Sequence, residues 1–82
     1  MFKATVKVSL KRTVLDPQGK TVKSALASMG FSSVEDVRMG KLIQLGINGT
    51  DRKKVEADLE IMCKKLLANP IIEDYSFTIE EA

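Results

Sequence analysis

The chain has 82 residues, with 13 basic and 11 acidic side chains, no histidine, and Cys63 as its single cysteine. A net charge of +2 is too even for the electrostatic footprint of a nucleic-acid-binding protein. One cysteine without histidine excludes an internal disulfide, a multi-cysteine zinc site and the usual hydrolytic triads. We therefore expect no catalytic residue, no metal ligand and no nucleic-acid partner.

The N-terminal residues alternate between charged and apolar side chains, which is unlike a signal peptide, and no stretch reads as a transmembrane segment. We expect a cytoplasmic protein without a membrane partner, folded as a single domain over residues 1–82. A domain of this size buries only a thin core, and no disulfide or metal is available to stabilise it. A partner chain is the remaining means of stabilisation.

The first predicted strand is marked by strict alternation of apolar and polar residues from residue 2 to residue 11. Asp16 and Pro17 then have the residue types that begin a helix, the first as a cap and the second in the first turn. Gly30 is the type of residue that ends one. The apolar positions of this predicted helix have helical spacing: Val22, Ala25, Leu26 and Met29.

Residues 34–48 read as two extended segments, joined by a tight turn at Gly40. In the second segment Ile43, Leu45 and Ile47 are predicted to face the core. A second helix is predicted to begin at Thr50 or Asp51, with Glu60 and Lys64 paired on its surface, and to end at Asn69 and Pro70. Its predicted apolar stripe comprises Val55, Leu59, Met62, Cys63, Leu66 and Leu67.

The last predicted strand follows from alternation at Tyr75, Phe77 and Ile79. The predicted order is β-α-β-β-α-β. This order indicates an α+β two-layer sandwich of the ferredoxin-like type, with one antiparallel sheet and both helices on one of its faces. The other sheet face would then be free to meet water or another protein.

Little in the sequence suggests chemistry. Cys63 lies on the predicted apolar stripe and is expected to be buried. The adjacent acids Glu35 and Asp36 would point to opposite faces of an extended segment and would not form an acid and base pair. The loop before the first helix is a weak phosphate cradle, because Asp16 would repel an anion and compete for the same amides.

Four segments carry a resemblance to a known family: residues 8–19 (VSLKRTVLDPQG), 29–31 (MGF), 37–41 (VRMGK) and 63–75 (CKKLLANPIIEDY). In this order and spacing they resemble the PurS family, the small subunits of phosphoribosylformylglycinamidine synthase. The resemblance covers essentially the whole chain.

The resemblance implies a non-catalytic subunit of a three-part amidotransferase in purine biosynthesis. Its implied partners are a large synthetase subunit of the PurL type, a glutaminase subunit of the PurQ type, and further copies of the chain in a homodimer or higher homo-oligomer. The complex would use ATP, Mg and glutamine to convert formylglycinamide ribonucleotide to formylglycinamidine ribonucleotide. This chain would bind no cofactor and would support ammonia transfer by bridging the other two subunits.

Two partner-binding patches are hypothesised, because motif segments at turns and helix ends often form binding surfaces. The first patch comprises Leu15, Gln18 and Gly19; the second comprises Arg38, Met39 and Lys41. Arg38 is expected to make a forked pair with a partner carboxylate. A structural role in caps and turns is predicted for Asp16, Pro17, Gly30, Gly40, Asn69 and Pro70.

Two other interpretations of the same strand and helix order remain open. One is an ACT-type regulatory module that binds a small molecule. The other is an acylphosphatase-like hydrolase using Arg12 and Asn48, although the glycine-rich loop of such enzymes is missing here. One scaffold hosts many functions, so the predicted fold alone does not separate these interpretations.

Overall fold

A computed structural model describes residues 1–81. Strand β1 (Phe2–Leu10) is followed by helix α1 (Pro17–Ser28), strand β2 (Gly40–Ile47), helix α2 (Arg52–Met62), a π-helical turn (Cys63–Leu67) and strand β3 (Glu73–Glu81). The strands form an antiparallel three-stranded sheet in the order β2-β1-β3. The protein is therefore α+β, with the order β-α-β-α-β. No helix in the described residues is long and apolar enough to cross a membrane.

The core lies between the central strand and α2. Alternate residues of β1 point inward and are buried, as the sequence predicted, and Ile79 joins them from β3. From α2 and the π-helical turn, Val55, Leu59 and Cys63 complete the cluster. Inward-facing residues of the two edge strands pack around it and are only partly buried: Ile43, Leu45, Ile47, Tyr75 and Phe77.

The predicted fourth strand is absent from the described residues. Residues 34–39 form no strand, and Gly40 makes no turn; it begins β2, opposite Ser9 of β1. The physical reason is that Arg38 and Met39 donate hydrogen bonds to the segment between β1 and α1 instead of to a neighbouring strand. A side chain at residue 40 would place its Cβ 2.6 Å from the Val8 carbonyl oxygen, so the glycine permits close strand pairing. The ACT-type and acylphosphatase-like interpretations depend on the four-strand order, and the sheet of the described residues has three strands.

Helix α1 is bounded as the sequence predicted. Asp16 caps it by accepting a hydrogen bond from Gly19 N at 2.9 Å, and Pro17 is its first residue. At the other end Gly30 has φ of +96°, while Gly30 N and Phe31 N donate to the carbonyl groups of Ala27 and Leu26. This is the Schellman arrangement, in which glycine adopts the left-handed conformation that ends a helix.

The prediction that both helices cover one sheet face is wrong for α1. Within residues 1–81, α1 supplies no residue to the core cluster or to the apolar side chains packed against it, and Gly19 is its one buried residue. The Cα radius of gyration is 16.4 Å, with extents of 50 × 27 × 14 Å. A compact chain of this length would have a radius of gyration of about 12 Å. The molecule is elongated, with a single helix packed on the sheet.

The second helix begins at the Asp51 cap, and of its predicted apolar stripe Leu66 alone lies outside the core and the side chains packed against it. Ala68 N donates to the Cys63 carbonyl at 2.9 Å, an i to i+5 bond that widens the last turn. Leu66, predicted to be inward, is 82% exposed as a result. Glu60, predicted to pair with Lys64, instead accepts a hydrogen bond from the Tyr75 hydroxyl at 2.7 Å.

Candidate functional site

The two predicted patches come together through the carboxylate of Asp16. One oxygen accepts from Gly19 N at 2.9 Å, and the other accepts from Met39 N at 2.7 Å. Asp16 is only 5% exposed. The hydrogen bond from Gly19, then that from Met39, and the positive charge of Arg38 hold the pKa of Asp16 below its ordinary value. An ionised aspartate therefore ties the start of α1 to the segment that enters β2.

Gly19 is buried in this contact and offers no side chain to a partner. A Cβ at this position would clash with the carbonyl oxygen of Val37, so the absence of a side chain lets the helix start lie directly against the segment before β2. Gly19 therefore contributes to the site by allowing the two patches to lie close together.

Arg38 binds its own chain. Its Nη2 atom donates to the carbonyl oxygens of Lys11 at 2.9 Å, Val14 at 3.1 Å and Leu10 at 3.4 Å. These bonds hold the segment between β1 and α1 in place, and they use a single nitrogen of the guanidinium. The sequence did not predict this role, because every residue has a backbone carbonyl group and the residue types therefore do not reveal which carbonyl groups accept hydrogen bonds.

The other predicted contact residues surround this centre at the surface. Leu15 is 70% exposed, and Gln18, Met39 and Lys41 are also exposed. Gln18, Met39 and Lys41 line an open cavity of about 210 Å³ together with Asp16 and other residues, among them Glu73. The two patches are therefore one continuous surface at the end of the sheet, which we call the loop surface: Leu15, Gln18, Arg38, Met39 and Lys41.

Glu73 is a member of this site that the sequence did not indicate. Its Oε2 lies 3.7 Å from Lys41 Nζ, and its Oε1 accepts from Asn69 N at 2.7 Å. Next to it, Asp74 pairs with Lys11 at 2.7 Å. The two ion pairs depend on β2 and β3 flanking β1, because only the sheet order brings residues so distant in sequence together.

Asn69 and Pro70 lie in the turn between the π-helical turn and β3. The helical structure ends at Leu67, before Asn69. Asn69 Oδ1 accepts from Ile71 N at 3.2 Å, and the Asn69 carbonyl accepts from Ile72 N and Glu73 N. The asparagine therefore organises the turn into β3.

The potentially reactive groups are held protonated. Burial, followed by the negative charge of Glu60, raises the pKa of the Cys63 thiol, and the thiolate is the nucleophilic form. The hydrogen bond to Glu60 raises the pKa of Tyr75 to about 12. Within residues 1–81, no three cysteine, aspartate or glutamate residues are placed to hold a metal ion.

Comparisons with known proteins agree along the chain. The profile of the family described as PurS, phosphoribosylformylglycinamidine (FGAM) synthase, matches residues 3–81. Two similar relatives are both described as phosphoribosylformylglycinamidine synthase subunit PurS. The one from Bacillus subtilis is 51% identical over 99% of this chain and 95% of its own length. The one from Methanocaldococcus jannaschii is 46% identical over 99% and 98%.

Solved structures show the same fold. A crystal form of Bacillus subtilis PurS has a TM-score of 0.90 at 51% identity, with 99% of this chain and 100% of that chain covered. A structure described as PurLQS from Thermotoga maritima contains a chain with a TM-score of 0.86 at 29% identity, with 96% of each chain covered. Sequence and structure agree over nearly the full length, and the chain belongs to the PurS family of FGAM synthase subunits in purine biosynthesis.

Proposed function

We propose that this chain is the non-catalytic small subunit of a cytoplasmic FGAM synthase, in which it bridges a PurQ-type glutaminase and a PurL-type synthetase. The observation that carries this proposal is the similarity, over 96% of each chain, to a chain in the structure described as PurLQS. The glutaminase releases ammonia from glutamine, and the synthetase uses ATP and Mg to install it on formylglycinamide ribonucleotide. This chain binds none of these cofactors.

A bridging role suits the chemistry of the residues. Ammonia that escapes into water is diluted and protonated, so its transfer requires closely packed protein surfaces more than reactive side chains. The Cys63 thiol and the Tyr75 hydroxyl keep their protons, because both pKa values are raised. The subunit then acts by contacting the glutaminase and the synthetase and by positioning them relative to each other.

The loop surface is the proposed contact with a partner subunit. Exposed Leu15 and Met39 supply apolar area, and Lys41 supplies a charge at its edge. Interfaces commonly combine an apolar centre with a polar rim. Because Asp16 and Arg38 fix the backbone beneath these side chains, the surface is preorganised, which lowers the ordering cost of binding.

A homodimer is proposed on the side of the sheet that α1 leaves uncovered. Strand β2 is an edge strand, and its inward-facing Ile43, Leu45 and Ile47 are only half-buried. A second copy lying over these side chains would bury them and enlarge a thin core.

Sedimentation equilibrium of the purified chain tests the dimer. We expect a dimer that Leu45→Ser weakens and that Leu42→Ser, on the opposite sheet face, leaves intact. A monomer at all accessible concentrations would contradict this part of the proposal.

The bridging role is tested by reconstitution. Synthetase and glutaminase are mixed with or without this chain, and product formation is measured with glutamine and, separately, with free ammonia. We expect glutamine-dependent activity to require the chain and ammonia-dependent activity to be nearly independent of it. Equal activity with glutamine in both mixtures would overturn the proposal.

A further inference from the structure

The corner where the π-helical turn meets the segment leading into β3 exposes an unusual pair of apolar side chains. Leu66 is 82% exposed and Ile71 is 83% exposed, the highest values among the exposed large apolar residues of residues 1–81. Scattered exposed apolar residues are normal, but Leu66 lines a groove and Ile71 directly follows Pro70 of the same lining, so the two mark a candidate contact surface.

The backbone hydrogen bonding of the π-helical turn explains why Leu66 lies at the surface. In a regular helix Leu66 would continue the inward stripe, one turn after Met62 and Cys63. The bond from Ala68 N to the Cys63 carbonyl, at 2.9 Å, inserts one extra residue into the turn and rotates Leu66 to the surface. Such π-helical turns occur frequently at functional sites.

Beside Leu66 lies an open groove of about 420 Å³, whose lining includes Lys41, Lys64, Lys65, Leu66 and Pro70. Ile71 directly follows Pro70. Lys64 and Lys65 belong to no ion pair within residues 1–81, whereas Lys41 lies 3.7 Å from Glu73. The groove therefore combines apolar side chains with the charges of Lys64 and Lys65, which no carboxylate within residues 1–81 pairs.

The helix dipole explains why Lys64 and Lys65 lie at the end of a helix, because the free carbonyl groups there attract positive charge. It does not account for the exposure of Leu66 and Ile71, which gain nothing from the helix dipole. Both features are explained together by an occupant with carboxylates for the lysines and an apolar side chain for the groove.

We propose that this apolar-basic corner, comprising Lys64, Lys65, Leu66 and Ile71, binds an acidic segment of a partner subunit that also carries a large apolar side chain. The inference rests on the proposed bridging function and names a second contact for it. Lys41 and Glu73 line both this groove and the cavity of the loop surface, so the two contacts adjoin.

The test measures binding of the full-length chain to the synthetase and glutaminase together. Leu66→Ala removes the apolar contact and keeps a good helix former, and Lys64→Gln/Lys65→Gln removes the charge. Matched controls lie on α2 outside the groove: Ile61→Ala, which is also exposed, and Lys53→Gln/Lys54→Gln.

We expect each corner variant to bind about tenfold more weakly, the size of a moderate interface contact, and the controls to bind like the wild type. Added salt should weaken the wild type more than Lys64→Gln/Lys65→Gln, because that variant lacks the attraction that salt screens. Unchanged affinity in both corner variants would overturn the inference and leave the bridging function standing.

Two other outcomes are distinct. If the wild type does not assemble with the partner subunits, the bridging function fails and this inference fails with it. If the corner variants weaken self-association of the isolated chain and leave partner binding unchanged, the corner contacts a second copy, which also overturns the inference.

Discussion

The two helices of this protein are similar in length but are held in different ways. Helix α2 is attached by buried apolar side chains, with Val55 and Leu59 in the core beside β1. Helix α1 is attached at its N-terminal end by the Asp16 carboxylate and by the packing of Gly19, and it contributes nothing to that core. Helix α2 therefore stabilises the fold, whereas α1 extends from the rest of the molecule in a direction that its N-terminal contacts fix.

The difference shows that one part of the chain stabilises the fold and another part positions the loop surface. Burial in the core is non-directional and sets how strongly the sheet and α2 hold together. Hydrogen bonds are directional, and those made by Asp16 and Arg38 set where the loop surface lies. Substitutions in the two regions should therefore have different consequences.

The largest expected effect is in the core. Leu59 is fully buried, so Leu59→Ala should lower the free energy of unfolding by about 2–5 kcal/mol through lost transfer energy and a residual cavity. Urea denaturation measures this loss. Leu66→Ala is the matched control and should change stability by less than about 0.5 kcal/mol, because Leu66 is exposed. Equal losses would show that Leu66 belongs to the core.

The next effect is at the base of α1. Gly19→Ala places a methyl group against the Val37 carbonyl and should cost about 1–3 kcal/mol. Because α1 lies outside the core, we expect the loss as faster amide hydrogen exchange in α1, with β1 amides still protected. Gly46→Ala is the control, since its new methyl group meets nothing within 4 Å. Equal loss of protection in β1 would mean that α1 and the sheet unfold together.

A smaller effect is expected at Arg38. Arg38→Ala removes the donor to the Lys11 and Val14 carbonyls and should cost about 1 kcal/mol, because these groups are exposed to water. We expect faster exchange between β1 and α1 and weaker assembly, without global unfolding. Arg38→Lys should restore part of the protection. If Arg38→Ala weakens assembly with hydrogen exchange unchanged, Arg38 acts on the partner alone.

The last effect is a loss of protection in acid. The pKa of Asp16 is lowered on folding, so its contribution is present above the ordinary value of 3.8 and is lost as the pH falls through the folded value. Hydrogen exchange of α1 amides should therefore gain an acid-dependent step below about pH 4. Asp16→Asn should lack this step and exchange faster at neutral pH. The same step in the variant would assign it to another carboxyl group.

Much of the fold follows from local patterns. Alternation predicted β1 and β3, and the capping residues Asp16 and Asp51 mark the starts of both helices as observed. The extra strand before Gly40 was predicted wrongly, because the extended character of residues 34–38 does not reveal that Arg38 and Met39 bond to a distant loop. A local sequence window contains no information on such partners.

The candidate site could be predicted only in part, because it also depends on contacts between residues that are distant in sequence. The motif segments contain the residues of the loop surface, but their meeting depends on Gly19 lying against Val37. The exposure of Leu66 was not predictable from helical spacing, because one i to i+5 bond changes the phase of every later position.

The two edges of the sheet differ in charge, and this difference limits how copies of the chain can associate. Strand β3 carries four carboxylates in nine residues, whereas Lys41 is the single charged residue among the eight of β2. Antiparallel pairing of β3 with the same strand of another copy would bring like charges opposite one another, which is unfavourable. Growth of the sheet from copy to copy needs two receptive edges, and this sheet has one. Self-association at β2 would therefore stop at a closed pair and not run on into a fibre.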